Sequence, residues 1–133
     1  MEIQVATLCD SASDYNGKLC VLGAFDTIFA QALPAIHPQC AIALRLCFWP
    51  EDSEKIQLKI ALINADGVDV IPPFEPTIEV AVPPEAFFVT KNLVMNLQRL
   101  TFQEEGEYSV DVRVGEEILQ RVPLRVLVMK KNS

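Results

Sequence analysis

The chain holds one histidine, His37, four cysteines and a scatter of acidic residues, and their spacing decides how much chemistry the sequence can do. A single histidine excludes a two-histidine metal site, and a Cys–His nucleophile pair would have to use His37 itself. It stands between Ile36 and Pro38 in what reads as a proline-flanked loop, which predicts a packing or surface role rather than catalysis. Cys9, Cys20, Cys40 and Cys47 form no CxxC pair, so zinc-ligand spacing is absent. Asp10, Asp14 and Asp26 are the best acidic group. Calcium takes several oxygen ligands, yet D-x-x-x-D lacks the regular ladder of a calcium loop, and aspartates in so polar a run are turn formers first. Glu104, Glu105 and Glu107 lie at one end of a predicted strand and Glu116 and Glu117 at the other. That is roughly 25 to 30 Å at about 3.3 Å per residue, too far for the two groups to act as acid and base on one bond. They read as solubilising charges that guard sheet edges. No phosphate-cradling glycine loop, nucleophile elbow or zinc-protease motif occurs. The sequence names no catalytic residue, no metal ligand and no cofactor.

Aromatic residues among prolines offer another kind of chemistry. Phe74 sits in PPFEP, and Phe87 and Phe88 follow Pro83 and Pro84. Loops of this composition present binding patches, so these three are the candidate partner-binding residues. The preferred reading of the three is nevertheless that they plug the ends of a sandwich. Trp49, the sole tryptophan, ends an apolar strand, where packing is the expected role.

The balance of 11 basic and 18 acidic residues gives a net charge of -7, which repels nucleic acid and anionic lipid. Lys130 and Lys131 form the only adjacent basic pair and read as a solvated tail. The opening MEIQVATLCD carries Glu2 and no basic run, so it predicts a strand rather than a secretory signal, and the expected location is cytoplasmic, with the cysteines as thiols. An uncharged window at residues 27–44 is interrupted by Gln31, Pro34, His37, Pro38 and Gln39, which argues against a membrane span.

The elements that must position these residues are extended. Apolar and polar residues alternate with period two along most of the chain, and no segment carries a confident helical period. Ile3, Val5 and Thr7 predict a first strand, followed by a loop over DSASDYNG that ends in the hairpin dipeptide Asn16-Gly17. KLCVLGAFD predicts the second strand, with Gly23 marking a bulge or a close backbone approach. Residues 27–38 fit a short helical turn or an edge strand, with irregular strand preferred. In the next strand Cys40, Ile42, Leu44, Leu46 and Phe48 share one face, and Ala41, Ala43, Arg45, Cys47 and Trp49 the other. Apolar content on both faces predicts a central strand, and Cys40 and Cys47 should point to opposite sides. Further strands follow at Ile56–Leu62, at TIEVAV and at LVMNLQRLTF. In the last hairpin Tyr108, Val110, Val112 and Val114 should face inward and Ser109, Asp111 and Arg113 outward as solubilising residues. Gly115-Glu116 turns the chain back, and Leu124, Val126 and Val128 return in phase. The expected fold is all-β, an antiparallel two-sheet sandwich of about eight strands in a single domain over residues 1–133.

The run LQRLTFQEEGEYSVDV resembles the corner before the penultimate strand of immunoglobulin-like sandwiches, with Gly106 and Tyr108 matching Gly-x-Tyr. The resemblance implies a structural corner in which the tyrosine hydroxyl bonds nearby backbone. Val110 stands where an antibody domain has its second cysteine, so the inter-sheet disulfide is not matched. The order of NGKLCVLGAFDTIFAQALP, a strand with Arg45 and the late Gly-x-Tyr strand is also similar to a bacterial family known only as a domain of unknown function. That resemblance implies a fold and no activity.

Two classes of function remain. One is a non-catalytic interaction or structural module that binds another protein or a copy of itself. The alternative is a small ligand, carbohydrate or calcium binder using the acidic loops.

Overall fold

The computed structural model describes residues 1–52 and 54–129, so the Lys130–Lys131 pair lies outside the described residues. The described residues form nine strands and contain no α-helix. They are β1 (Glu2–Tyr15), β2 (Lys18–Phe25), β3 (Thr27–Ala30), β4 (Ala35–Phe48), β5 (Lys55–Asn64), β6 (Thr77–Glu79), β7 (Val89–Phe102), β8 (Gly106–Val114) and β9 (Glu117–Val128). A four-stranded sheet runs β2-β1-β4-β7 and a five-stranded sheet β3-β9-β8-β5-β6. The strand direction alternates as expected except at one place: β3 lies parallel to β9, with Thr27 opposite Arg125 and Ala30 opposite Val128. Residues so far apart in sequence leave no local sign of their pairing, whereas a hairpin carries its sign in the turn.

One core lies between the sheets. Leu44, Leu46 and Phe48 of β4 meet Leu58, Ile60 and Leu62 of β5, with Val110 and Val112 of β8 and Val126 of β9, all fully buried. Period two places them there, since alternate side chains leave a strand on opposite faces. β4 sits inside its sheet and is apolar on both sides as predicted, and Cys40 and Cys47 lie on opposite faces. The four cysteines are free thiols, and burial pushes Cys40 up to about 11.

The main departure is at the N-terminal hairpin. DSASDY is not a loop: β1 continues through it to Tyr15, and only residues 2–9 pair with β4. Residues 10–15 pair with β2 alone, so the hairpin leaves the sheet as a two-stranded arm. The bend falls where Asp10 faces Gly23, whose φ of +69° suits glycine, and a Cβ there would lie 2.4 Å from Asp10 Oδ2. Asn16 and Gly17 both have positive φ, as a two-residue hairpin turn requires. The arm folds back over the outer face of its own sheet. Leu19 and Ala12 cover the buried cluster of Cys9, Ala41 and Ala43.

Arg45 fastens the arm. Its guanidinium donates to Gln4 Oε1, to the Gly17 carbonyl at 2.9 Å, to Asn92 Oδ1 at 2.7 Å and to Thr90 Oγ1 at 3.0 Å. Asn92 in turn donates to Asp14 Oδ1 at 2.6 Å. One side chain therefore ties β1, the arm turn and β7 together.

The closing hairpin is as predicted within the chain and different in its place. Tyr108, Val110 and Val112 are buried, and Gly115 turns with φ +59°. Yet β8 and β9 lie inside the five-stranded sheet, whose edges are β3 and β6. β3 covers β9 only at Arg125–Val128, so among the described residues the side of β9 away from β8 has no paired strand over residues 117–124. Glu116 and Glu117 stand at the start of that unpaired stretch, where charge guards a sheet edge. Tyr108 donates its hydroxyl to the Glu104 carbonyl and packs edge-on against Phe102, with ring centroids 5.0 Å apart. The preceding Gly106 has φ +138°, and together they fix the corner.

Candidate functional site

Two surfaces concentrate groups able to bind something. The first is the end of the sandwich formed by the β4–β5 loop and the segment before β7. Trp49 begins a turn closed by the Asp52 amide donating to the Trp49 carbonyl at 3.0 Å. Asp52 Oδ2 accepts from the Trp49 amide at 2.7 Å, and Oδ1 takes the Met1 amino group at 2.8 Å. These bonds hold the Asp52 carboxyl below the usual carboxylate range, the amino group first. Trp49 is thereby held, and it is 36% exposed with its ring 5.5 Å from that of Phe88.

Phe88 is 47% exposed and Phe87 is 75% exposed. A single 3-10 turn at Pro84–Ala86 leads into them. Phe87 has φ +67° and ψ -54°, and the Phe88 amide donates back to the Ala86 carbonyl at 2.8 Å. That is a γ-turn of the rare, strained hand, costing about 1 to 3 kcal/mol for a residue with a Cβ. The strain lifts a phenyl ring into solvent. Exposed Glu51, Glu54 and Glu85 flank the three rings in the chain.

The three candidate phenylalanines therefore separate. Phe74 packs against the core and bridges to Ile60 of β5, so it is a plug. Phe87 and Phe88 are not plugs, and Trp49, assigned to packing by its strand, joins them at the surface. No local pattern signals this, because the ring that packs beside Trp49 belongs to another loop.

The second surface is the outer face of the five-stranded sheet. Asp111 of β8 was expected to be a solubilising residue, but its side chain is 0% exposed. Arg121 of β9, directly opposite, covers it with two bonds of 2.9 Å, Nε to Oδ1 and Nη2 to Oδ2. Ser109 Oγ donates to Oδ1 at 3.0 Å, and Arg113 Nη2 lies 3.4 Å from Oδ2. Arg121 above all holds this carboxyl below the usual range, against the opposing effect of burial. Beside it runs a cleft of about 830 Å³, lined in part by Asp26, Asp66, Glu107, Arg113, Arg121 and Arg125. Period-two alternation puts Asp111 on the correct face, but the arginine that covers it lies ten residues on in the opposing strand, outside any local pattern.

The remaining candidates stay apart. His37 lies within β4 rather than in a loop, half-buried, with its ring 5.5 Å from that of Phe25. Asp10 stands at the arm bend, Asp14 bonds Asn92 and the Gly17 amide, and Asp26 accepts from Thr27 Oγ1 at 2.7 Å. No group of three or more His, Cys, Asp or Glu side chains placed to hold a metal ion occurs among the described residues. Glu105 Oε2 accepts the Val128 amide at 3.0 Å, tying the segment before β8 to the end of β9. No helix among the described residues is long and apolar enough to cross a membrane.

No curated protein matches the chain in sequence. Residues 4–127, from the first strand to the last, match the model of a family of unknown function, DUF6941, and the chain belongs to that family.

Proposed function

We propose that the protein is a non-catalytic interaction module whose aromatic end, Trp49 with Phe87 and Phe88, docks a partner protein. The observation that carries this is Phe87: a large apolar side chain, three-quarters exposed, held out by a strained turn. Strain of this kind persists where surroundings enforce it, and it collects at binding sites. Aromatic anchors supply most of the energy in protein interfaces, and a ring already fixed loses little entropy on docking. The flanking Glu51, Glu54 and Glu85, in a chain of net charge -7, select a partner surface in which apolar residues are interspersed with lysine or arginine. An immunoglobulin-like sandwich in a bacterial cytoplasm, using its loops in this way, is the setting we infer.

The test compares the partner recovered by the wild-type chain with that recovered by Phe87→Gly, followed by reconstitution with the purified partner. Loss of the exposed ring should weaken binding by about 30-fold or more, as for an interface hot spot of roughly 2 kcal/mol. Equal affinity of the two proteins, or a partner surface rich in acidic groups, overturns the reading. A second reading, a carbohydrate binder, draws support from the same rings. It is favoured if oligosaccharides, rather than a protein, perturb Trp49 fluorescence saturably.

A further inference from the structure

On the outer face of the five-stranded sheet Lys55 pairs with Glu79 and Arg125 stands opposite Glu107, whereas Lys59, Arg113 and Arg121 share neighbouring cross-strand positions with the one acid Asp111. Lys59 of β5 stands directly opposite Arg113 of β8, and both project outward because Leu58, Ile60, Val112 and Val114 take the inner phase. Like charges directly opposite on a sheet repel. One register step along, Arg121 stands across from Asp111, and Arg113 and Arg121 each bring Nη2 within 3.4 Å of the same Asp111 oxygen. Two guanidiniums thus converge on one carboxylate. Glu75 lies on the far side of Lys59 in the continuing register, yet no ion pair between them forms among the described residues. Two guanidiniums on one buried acid, with a lysine directly opposite one of them, is more local positive charge than solubility requires of this face.

We propose that this face is a binding site for a small ligand with a single oxyanion head, a carboxylate or a phosphate, seated between Arg113, Arg121 and Lys59, with its body in the adjoining cleft. Asp111 holds the guanidiniums in place before the ligand arrives, so little side-chain entropy is lost on binding. Arg113 is the principal donor to the ligand. It touches Asp111 only at 3.4 Å with one nitrogen, which leaves the rest of its fork for another oxyanion. The cleft floor beyond is less polar, with Ile63 and Pro123 contributing. Its far rim bears Asp26, Asp66 and Glu107 against the one cation Arg125, a net negative charge that disfavours a second anionic group there. A polyanion such as nucleic acid is therefore rejected, and a one-headed molecule with an apolar or hydroxylated body is accepted. The site is separate from the aromatic end and stands or falls independently of it.

The experiment uses phenyl phosphate and benzoate as probes, each titrated into the isotopically labelled full chain at constant ionic strength set with chloride. Saturable shifts of the Ser109, Arg113 and Arg121 amides with either probe are expected, and the probe that binds more tightly identifies the head. Arg113→Gln should weaken binding by about tenfold or more, the loss of one charge-assisted contact pair. Lys59→Gln should weaken it less while leaving the fold intact, since it removes a repulsion. Non-saturable shifts that scale with ionic strength for both probes, or equal affinity of Arg113→Gln, Lys59→Gln and wild type, overturn the proposal.

Discussion

Replacing Arg121 with methionine isolates the energetic role of the pair it makes with Asp111. The substitution keeps an unbranched stem on the sheet and removes two 2.9 Å bonds to a carboxylate that is fully buried. Breaking a buried ion pair from one side costs about 3 to 5 kcal/mol, because the remaining charge keeps its desolvation penalty. Here Ser109 and Arg113 still contact Asp111, and the Arg121 side chain is 56% exposed, so water already weakens the attraction. The expected loss at pH 7 is therefore about 2 to 3 kcal/mol, a midpoint shift of roughly 1 M in urea. The pH dependence is the sharper half. In the wild type the folded Asp111 titrates below its unfolded value, near 3.9, so its contribution is complete above that value and is lost as pH falls through the folded one. In Arg121→Met burial acts with less opposition and the carboxyl rises, so the difference between the two proteins should narrow as pH falls from 7 to 4. Urea unfolding at both pH values measures it. A loss under about 0.5 kcal/mol at pH 7, or one that does not narrow at pH 4, refutes the account of Asp111 as a buried charge held by Arg121.

Tyr108→Phe removes the hydroxyl bond to the Glu104 carbonyl and should cost about 1 kcal/mol in urea unfolding, with the core packing against Phe102 retained. Gly23→Ala forces a Cβ toward Asp10 at a φ of +69° and should cost about 1 to 2 kcal/mol, seen as early loss of amide protection in the arm. Arg45→Met should release the arm turn, so that amide exchange at residues 12–20 rises while the β5–β8 amides stay protected. Phe87→Gly should leave stability unchanged or raise it by up to about 1 kcal/mol, since relief of strain offsets or exceeds the added chain entropy, even as it weakens docking. A destabilised Phe87→Gly protein would show that the ring packs inward.

What could be read from the residues followed the range of the interactions. Period-two alternation reports which face is buried, and it placed Tyr108, Val110 and Val112 inward because burial on a strand is a local pattern. Turns are equally local: Asn16-Gly17 and Gly115-Glu116 carry their positive φ in their composition. The misreadings all depend on a distant partner. DSASDY has turn-forming composition, yet it is extended because β2 pairs with it and Arg45, about thirty residues on, holds its tip. Asp111 alternates correctly as outward, yet it is buried because Arg121 lies across the strand gap. Trp49 reads as core because its strand is apolar, yet the core ends one residue earlier, at Phe48. Of the candidate site, the proline-flanked phenylalanines were visible as composition; which of them faced solvent was not.

The aromatic end and the arm share one structural support. β4 carries Arg45 and, four residues later, Trp49; β7 carries Thr90 and Asn92 directly after Phe87 and Phe88. Arg45 bonds both Thr90 and Asn92, so the strands that present the two halves of the aromatic surface are joined by a side-chain clasp close to that surface. The same guanidinium holds the Gly17 carbonyl of the arm turn. Every acceptor it uses is neutral, so screening by salt has little hold on the clasp, unlike the ion pair at Asp111. If docking relies on Trp49 and Phe88 being held together, Arg45→Met should weaken a partner through an increased dissociation rate, with the association rate, set by the flanking glutamates, unchanged. Surface plasmon resonance on the reconstituted pair separates the two rates. A fall in association rate alone would detach the clasp from the aromatic surface and leave Arg45 as the fastening of the arm only.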